Sequence, residues 1–309
     1  EQVELISGPG CPVCVTQVGF IDEAIYLALE RQVTICTFGD LVRVPGTNMS
    51  LAGARERGAK IRIVYSPVDA KEYAKEHPKE QVTFLSVGFE TTTPSACLSV
   101  KKAREEGLTN YSILTANKTM PQAYEALKGS ADIFLYPGHV NAITGTKLCE
   151  ELAKEGVSGV VAGFTAKELL TALAVALARF QEGRPFFVNC YPRVVTENGS
   201  PQAQKLVEEM MEPCDSEWRG LGVIKGSGMR LQEEWSAFDA RKKYKIPPIQ
   251  GKANPACRCG DVLQGKCKPS DCKVFGKVCT PQHPIGACMV SGEGACSAYY
   301  MYGEAEEMK

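Results

Sequence analysis

Too few apolar residues lie between Cys257 and Cys296 to build a hydrophobic core, so something else must hold that stretch together. It reads CRCGDVLQGKCKPSDCKVFGKVCTPQHPIGACMVSGEGAC, with cysteines at 257, 259, 267, 272, 279, 288 and 296. A metal centre can organise such a segment, because its binding free energy becomes folding free energy. Iron–sulfur clusters take four thiolates and accept irregular spacing. Structural zinc usually shows paired C-x₂₋₄-C knuckles, whereas the gaps here are one, seven, four, six, eight and seven residues. The spacing points to an iron–sulfur cluster, with a zinc site or disulfide staples as the alternative. Seven cysteines exceed four ligands. Cys257 and Cys259 do not easily reach one small site together unless the chain turns sharply, so one of them ligates while the other stays free. A free thiol beside a cluster can pair with another cysteine and exchange electrons through it.

The chain from residue 1 to about 195 has a different pattern. Strand candidates are Val3–Ile6, Thr34–Phe38, Ile61–Tyr65, Val82–Val87, Ser112–Thr115, Ile133–Tyr136, Gly159–Ala162 and Phe186–Asn189. Helical patterns alternate with them, which predicts βαβ units and parallel sheets. A faint repeat relates ELISGPGCPV to IFLYPGHVNA, each a strand ending in Pro-Gly before Cys11 or His139. The expected fold class is therefore α/β. Two similar parallel-sheet lobes, about 1–80 and 81–195, face a central cleft, and 196–309 forms a cysteine-rich third region with only short helices. Ligand sites in such sheets lie beyond the carboxyl ends of the strands, where GPGCPVC, FGDLVRVPG, GFETTTP, YPGHV and GFT are expected to sit.

Cys11 and Cys14 form a C-x-x-C pair in a Gly/Pro turn before a helix, where thiol pKa falls and disulfides form easily. With no second pair nearby, zinc binding recedes, leaving redox or metal handling against simple packing. Glu90 lies beside three threonines. Thr93 reads as a helix cap with Pro94 at the first helical position, which leaves Glu90 as a site candidate. His139 follows a strand end. Asp40 and Arg43 read as an ion pair ordering their loop.

Composition excludes several functions. The net charge is −1 with no long block of one sign, so neither nucleic acid nor an anionic membrane finds electrostatic support. No apolar run reaches the roughly 18–20 residues of a membrane span. Fourteen cysteines without a secretory signal favour a reducing cytoplasm and a metal or redox role. There is no phosphate loop, dinucleotide fingerprint or nucleophile elbow.

Together SGPGCPVCVT (7–16), TFGDLVRVPGT (37–47), SVGFETTTP (86–94), YPGHV (136–140), GFT (163–165), CRCG (257–260), DCKVFGKVCTP (271–281), GACMVSGEGAC (286–296) and AYYMY (298–302) make a specific, ordered set. The chain resembles the HypD family of hydrogenase maturation proteins over essentially its whole length. The resemblance implies a cytoplasmic, redox-active assembly scaffold rather than a turnover enzyme. It would carry a [4Fe–4S] cluster and hold iron with a HypC-type chaperone. A HypE-type partner would deliver cyanide, and the Fe(CN)₂CO unit would pass to the hydrogenase large subunit. It also implies Cys257, Cys272, Cys279 and Cys296 as cluster ligands and Cys259 with Cys288 as a redox pair. Cys11 and Cys14 become substrate-side thiols and iron ligands, with Glu90 and His139 nearby, and Cys267 is left over. The family's upstream Cys-Gly-Thr-His-Thr motif is not in this sequence and the first residue is not Met, so the expectation is a missing N-terminal stretch. The alternative functions are an iron–sulfur disulfide reductase acting on a protein, or a zinc-stapled binding module.

Overall fold

Runs rich in β-branched residues form strands and the stretches between them form helices. The computed structural model describes residues 3–303 of the chain. Strands β1 (Thr34–Thr37), β2 (Ile61–Ile63), β3 (Val82–Gly88) and β4 (Tyr111–Asn117) make one parallel sheet in the order β2-β1-β3-β4. Strands β5 (Phe134–Pro137), β6 (Gly159–Ala162) and β7 (Phe187–Asn189) make a second parallel sheet. β1, β3 and β4 are buried along their whole length, as strands covered on both faces must be. Helices start where the sequence supplies caps: Ser66 and Thr165 each close a capping box, opening Pro67–Glu76 and Ala166–Phe180.

The strands depart from expectation in three places. β3 pairs with β1 through Thr34↔Val82 and with β4 through seven residue pairs. The first sheet therefore runs to Asn117, and hydrogen bonding divides the body between Asn117 and Phe134 rather than near residue 80. Val3–Ile6 is not a strand. Val3, Leu5 and Ile6 are exposed with no strand edge beside them, so the first element of the repeat has no counterpart to β5. Thr92, not Thr93, is the cap residue of Thr93–Glu105, and its side chain makes no capping bond. Thr93 instead donates to the Phe89 carbonyl at 3.0 Å.

Motifs do gather beyond the carboxyl ends of the strands: Gly39–Arg43 after β1, Phe89–Pro94 after β3, His139 after β5 and Gly163–Thr165 after β6. Arg43 does not pair with Asp40. It donates to the carbonyls of Pro281 (2.8 Å) and Val290 (3.4 Å), tying this end of the first sheet to the cysteine-rich segment.

Residues 196–303 contain more than short helices. Strands β8 (Met211–Trp218) and β9 (Gly222–Leu231) form an antiparallel hairpin, irregular between Cys214 and Ser216. The hairpin docks on the end of β4. Thr119 N–H donates to Ser227 O (2.9 Å), and the buried Lys118 ammonium donates to Ser216 Oγ and Glu217 O, both at 2.7 Å. Trp218 is fully buried. Its ring stacks on Phe89 at 5.9 Å, Lys118 Nζ lies 5.3 Å from the ring centroid, and its Nε1 donates to Ser227 Oγ at 2.8 Å. One apolar cluster joins Cys11, Cys14, Phe89, Tyr136, Trp218, Cys259, Cys288 and Cys296, so both sheets, the hairpin and the cysteine-rich segment share a core.

Truncating Trp218 removes the largest buried side chain in that core and leaves the Ser227 hydroxyl without its donor. Trp218→Ala is expected to cost about 3–5 kcal/mol of unfolding free energy, read from chemical denaturation. A loss below about 1 kcal/mol, the scale of a surface change, would refute the anchoring role.

Candidate thiol and metal centre

Gly8, Pro9 and Gly10 turn the chain into a four-residue helix, Pro12–Val15. Pro12 suits the first helical position, where an N–H would have no partner. Cys11 caps this helix, its Sγ accepting from Cys14 N–H at 3.3 Å. The cap turns both thiols inward: Cys11 is 3% exposed and Cys14 fully buried. The Cys14 thiol donates to Cys11 Sγ at 2.7 Å. That bond, with lesser help from Ser291, holds the Cys11 thiol below its ordinary pKa, while Cys14, as donor to Cys11, is raised well above it.

Cys259 and Cys288 form a second close pair at 2.6 Å, both buried. Cys14 and Cys288 in turn lie near enough to act on each other's protonation. Cys259 likewise lies near Cys257, and Cys288 near Cys296. The S···S distances of 2.7 and 2.6 Å lie inside van der Waals contact and outside the roughly 2.05 Å of a disulfide bond. All fourteen cysteines are free thiols. The sulfurs of Cys11, Cys14, Cys288, Cys259 and Cys257 thus form a line of near neighbours, closed to 2.7 and 2.6 Å within the two pairs.

The four cysteines that the resemblance implied as ligands lie beside this line. Cys279 is close enough to Cys257 and Cys296 to feel their charge, and its Sγ accepts from Ile285 N–H at 3.3 Å. The Cys272 thiol stands 3.8 Å from the carbonyl of Ala256, next to Cys257. Gly286 must lack a side chain, since a Cβ there would strike Cys257 Sγ. Among the described residues no three His, Cys, Asp or Glu side chains close on one point as a single-ion site requires. The donor chemistry is four thiols with a backbone N–H aimed at one of them, which suits a sulfur-ligated cluster. Cys267 is half-buried and near Cys272.

His139 is exposed, with its ring 4.9 Å from that of Phe164. Desolvation lowers its pKa against the opposing charge of Glu293. Glu293 also acts on Cys11. Sequence reasoning missed Ser291 and Glu293, although both stand in the quoted SGEGAC motif. They lie in the loop between Cys288 and Cys296 and face Cys11 across the chain.

Glu90 lies elsewhere in the cluster. Its Oε1 accepts from Met120 N–H at 2.9 Å, while its buried Oε2 has no partner. Tyr124 and Cys149 stand near enough to interact with its charge. The hydroxyls of Tyr124 and Tyr136 and Oδ1 of Asn141 are also buried without partners. Asn141 Nδ2 donates to Cys149 Sγ at 3.2 Å. Cys149 therefore stands among several buried polar groups, beside Asn141 and near Glu90. No hydrogen bond joins Glu90 to Cys11 or Cys14 among the described residues. Burial pushes the Glu90 carboxyl up to about 7.

A family model named HypD, described as "Hydrogenase formation hypA family", matches residues 1–303. The hydrogenase maturation factor HypD of Rhizobium leguminosarum bv. viciae is 43% identical over 318 residues, an alignment taking in 99% of this chain and 83% of the relative. The factor of the same name from Cupriavidus necator is 40% identical over 321 residues, covering 100% of this chain and 85% of the relative. That of Escherichia coli K12 is 41% identical over 314 residues, covering 99% and 84%.

The Glu90 environment sets a pH dependence. Between pH 4.5 and about 7 the folded carboxyl keeps a proton that the unfolded chain has lost. Stability therefore falls as pH rises through that window. Glu90→Gln mimics the protonated form. It is expected to leave stability near pH 4 unchanged and to raise it at pH 8 by up to roughly 3 kcal/mol, seen as a pH-dependent gap between thermal unfolding curves. A constant gap would refute the assignment.

Proposed function

This chain belongs to the HypD family of hydrogenase maturation factors, and from that premise we propose that it is a redox-active scaffold on which a hydrogenase iron unit is assembled. Iron is the cargo, held at Cys11 and Cys14 together with a HypC-type chaperone while cyanide from a HypE-type partner and carbon monoxide are attached. The finished Fe(CN)₂CO unit leaves for the hydrogenase large subunit. Soft thiolates suit iron that carries such ligands. His139, Glu293 and Ser291 stand on the Cys11 side of the centre, where they can supply a proton or a hydrogen bond to what is bound there.

The observation that carries this reading is the proximity of the two thiol pairs, with Cys14 and Cys288 near enough to act on each other's protonation. It permits direct exchange. A Cys288 thiolate attacks Cys14 Sγ of an oxidised Cys11–Cys14 pair, and Cys11 leaves as thiolate. Cys259 then attacks Cys288 Sγ and releases Cys14. One disulfide breaks and another forms, and two electrons and two protons move from Cys259/Cys288 to Cys11/Cys14. Cys11 is a good leaving group because its thiolate accepts from the Cys14 backbone N–H and is further favoured by Ser291. Cys257, Cys272, Cys279 and Cys296 would hold a [4Fe–4S] cluster, which supplies one-electron transfer. Burial of both pairs keeps water and stray oxidants from the exchange.

The test is co-purification with a HypC-type partner. Cyanide and carbonyl infrared bands are expected on the wild-type complex, along with iron and inorganic sulfide in roughly equal amounts. Cys259→Ala should keep the cluster iron and sulfide yet lose hydrogenase maturation by at least about tenfold, the scale of one removed redox partner. Normal maturation by Cys259→Ala would end the relay reading. A protein free of sulfide and carrying only zinc would end the cluster reading.

A further inference from the structure

We propose that Arg219 is the positioning residue that holds the Cys11–Cys14 helix in register with the Cys259–Cys288 pair, acting through the hairpin turn between β8 and β9. The role rests on the proposed exchange between the two pairs.

The helix Pro12–Val15 is too short to satisfy its own last carbonyls. Arg219 takes two of them. Its backbone N–H donates to Val15 O at 2.9 Å and its Nε to Thr16 O at 2.8 Å. Trp218 forms an isolated bridge with Thr16 beside these bonds. The next residue of the turn, Gly220, holds the other segment. It packs backbone against backbone on Gly260, the residue after Cys259, and a Cβ added at Gly260 would stand 2.6 Å from Gly220 Cα. Gln264 Nε2 clamps the junction, donating to Gly220 O at 2.6 Å and Gly260 O at 3.1 Å. Consecutive residues of one tight turn thus grip the two thiol-bearing segments, which lie far apart in the sequence.

The Nη2 atom of Arg219 is buried and has no partner among the described residues. The guanidinium lies near Cys257, the residue two before Cys259. A surface arginine recruited only for its stem would place that arm in water. Here Nε holds the Thr16 carbonyl while Nη2 stays buried. Lysine would keep the charge but not the planar fork.

The test measures how strongly the protein presents Cys14 to Cys288. In a Cys11→Ser/Cys259→Ser background the full chain is equilibrated in glutathione buffers. Cys14 and Cys288 lose two electrons and two protons to form their disulfide, as one glutathione disulfide becomes two glutathione thiols. Peptide mapping after acid quenching gives the effective concentration of the pair. Adding Arg219→Gln should lower it by about tenfold, the scale of a lost charged hydrogen bond, and Arg219→Lys should restore part of that loss. Gly260→Ala should lower it as well, by wedging the same junction. Arg241→Gln cuts the 2.7 Å ion pair to Glu23 elsewhere and should leave it unchanged. Where Arg219→Gln does not keep its native circular dichroism, Arg219→Lys and Gly260→Ala carry the comparison. Values within about twofold of the background for the Arg219 and Gly260 variants, or an equal fall with Arg241→Gln, would overturn the positioning role. A background protein that never forms the Cys14–Cys288 disulfide would overturn the relay itself.

Discussion

The burial of Trp218 against Phe89 is the contact on which the rest of the centre depends. Phe89 follows β3 directly, so its ring is placed by the most deeply hydrogen-bonded strand of the first sheet. Trp218 ends β8 and begins the turn that reaches both thiol segments. Stacking the two rings joins a rigid sheet to a two-stranded ribbon that could not be stable alone. Lys118 adds a second tie at the same place. Desolvation lowers its pKa to about 7, and its ammonium keeps hydrogen bonds to the hairpin as it enters the core. An unpaired buried lysine would be costly, and the hairpin groups are what make the position tolerable.

The thiol line is a second consequence of that docking. Two of its members come from the start of the described chain and the others from near its end, so no local pattern could bring them together. Burial ordinarily raises thiol pKa, and at Cys14 it adds to the larger rise that comes from donating to Cys11. Cys11 departs from it because a neighbouring thiol donates to it. Within one C-x-x-C pair, one sulfur is therefore suited to carry charge and the other to carry a proton. A four-residue helix with a cysteine as its cap produces this difference without any charged side chain in contact with either sulfur.

The βαβ alternation was legible because parallel strands buried on both faces leave unbroken β-branched runs. The strand-end motifs were legible because irregular Gly/Pro sequences interrupt that alternation. The sheet boundary was not: strand order depends on which edge a crossover returns to, and β3 returns beside β1. Val3–Ile6 has strand-like residues and no partner edge, and propensity alone says nothing about partners. The hairpin was missed for a related reason. β8 carries Pro213 and several charges, and β9 carries three glycines, so both read as loop. With them went Arg219, whose role lies in a tertiary contact and not in a motif. The cysteines were legible by residue type. The approach of Cys259 and Cys288 to each other and to Cys14, and the setting of Cys149 near Glu90, needed three dimensions.

The loop from Cys288 to Cys296 connects the two sides of the centre. It carries a member of the sulfur line at one end and a thiol implied as a ligand at the other. Between them it presents Ser291 and Glu293 to Cys11, with Val290 accepting from Arg43. Two groups that act on the Cys11 thiol besides Cys14 are therefore covalently tethered to the cysteine-rich segment. The loop's own Met289 and Val290 are buried in the core, while Cys288 and Cys296 at its ends belong to the sulfur line and to the candidate ligand set. It follows that the electrostatics at Cys11 depend on the state of the cysteine-rich segment, through a chain path of only a few residues. That dependence requires no movement of either sheet, because both are fixed by the shared core around Trp218.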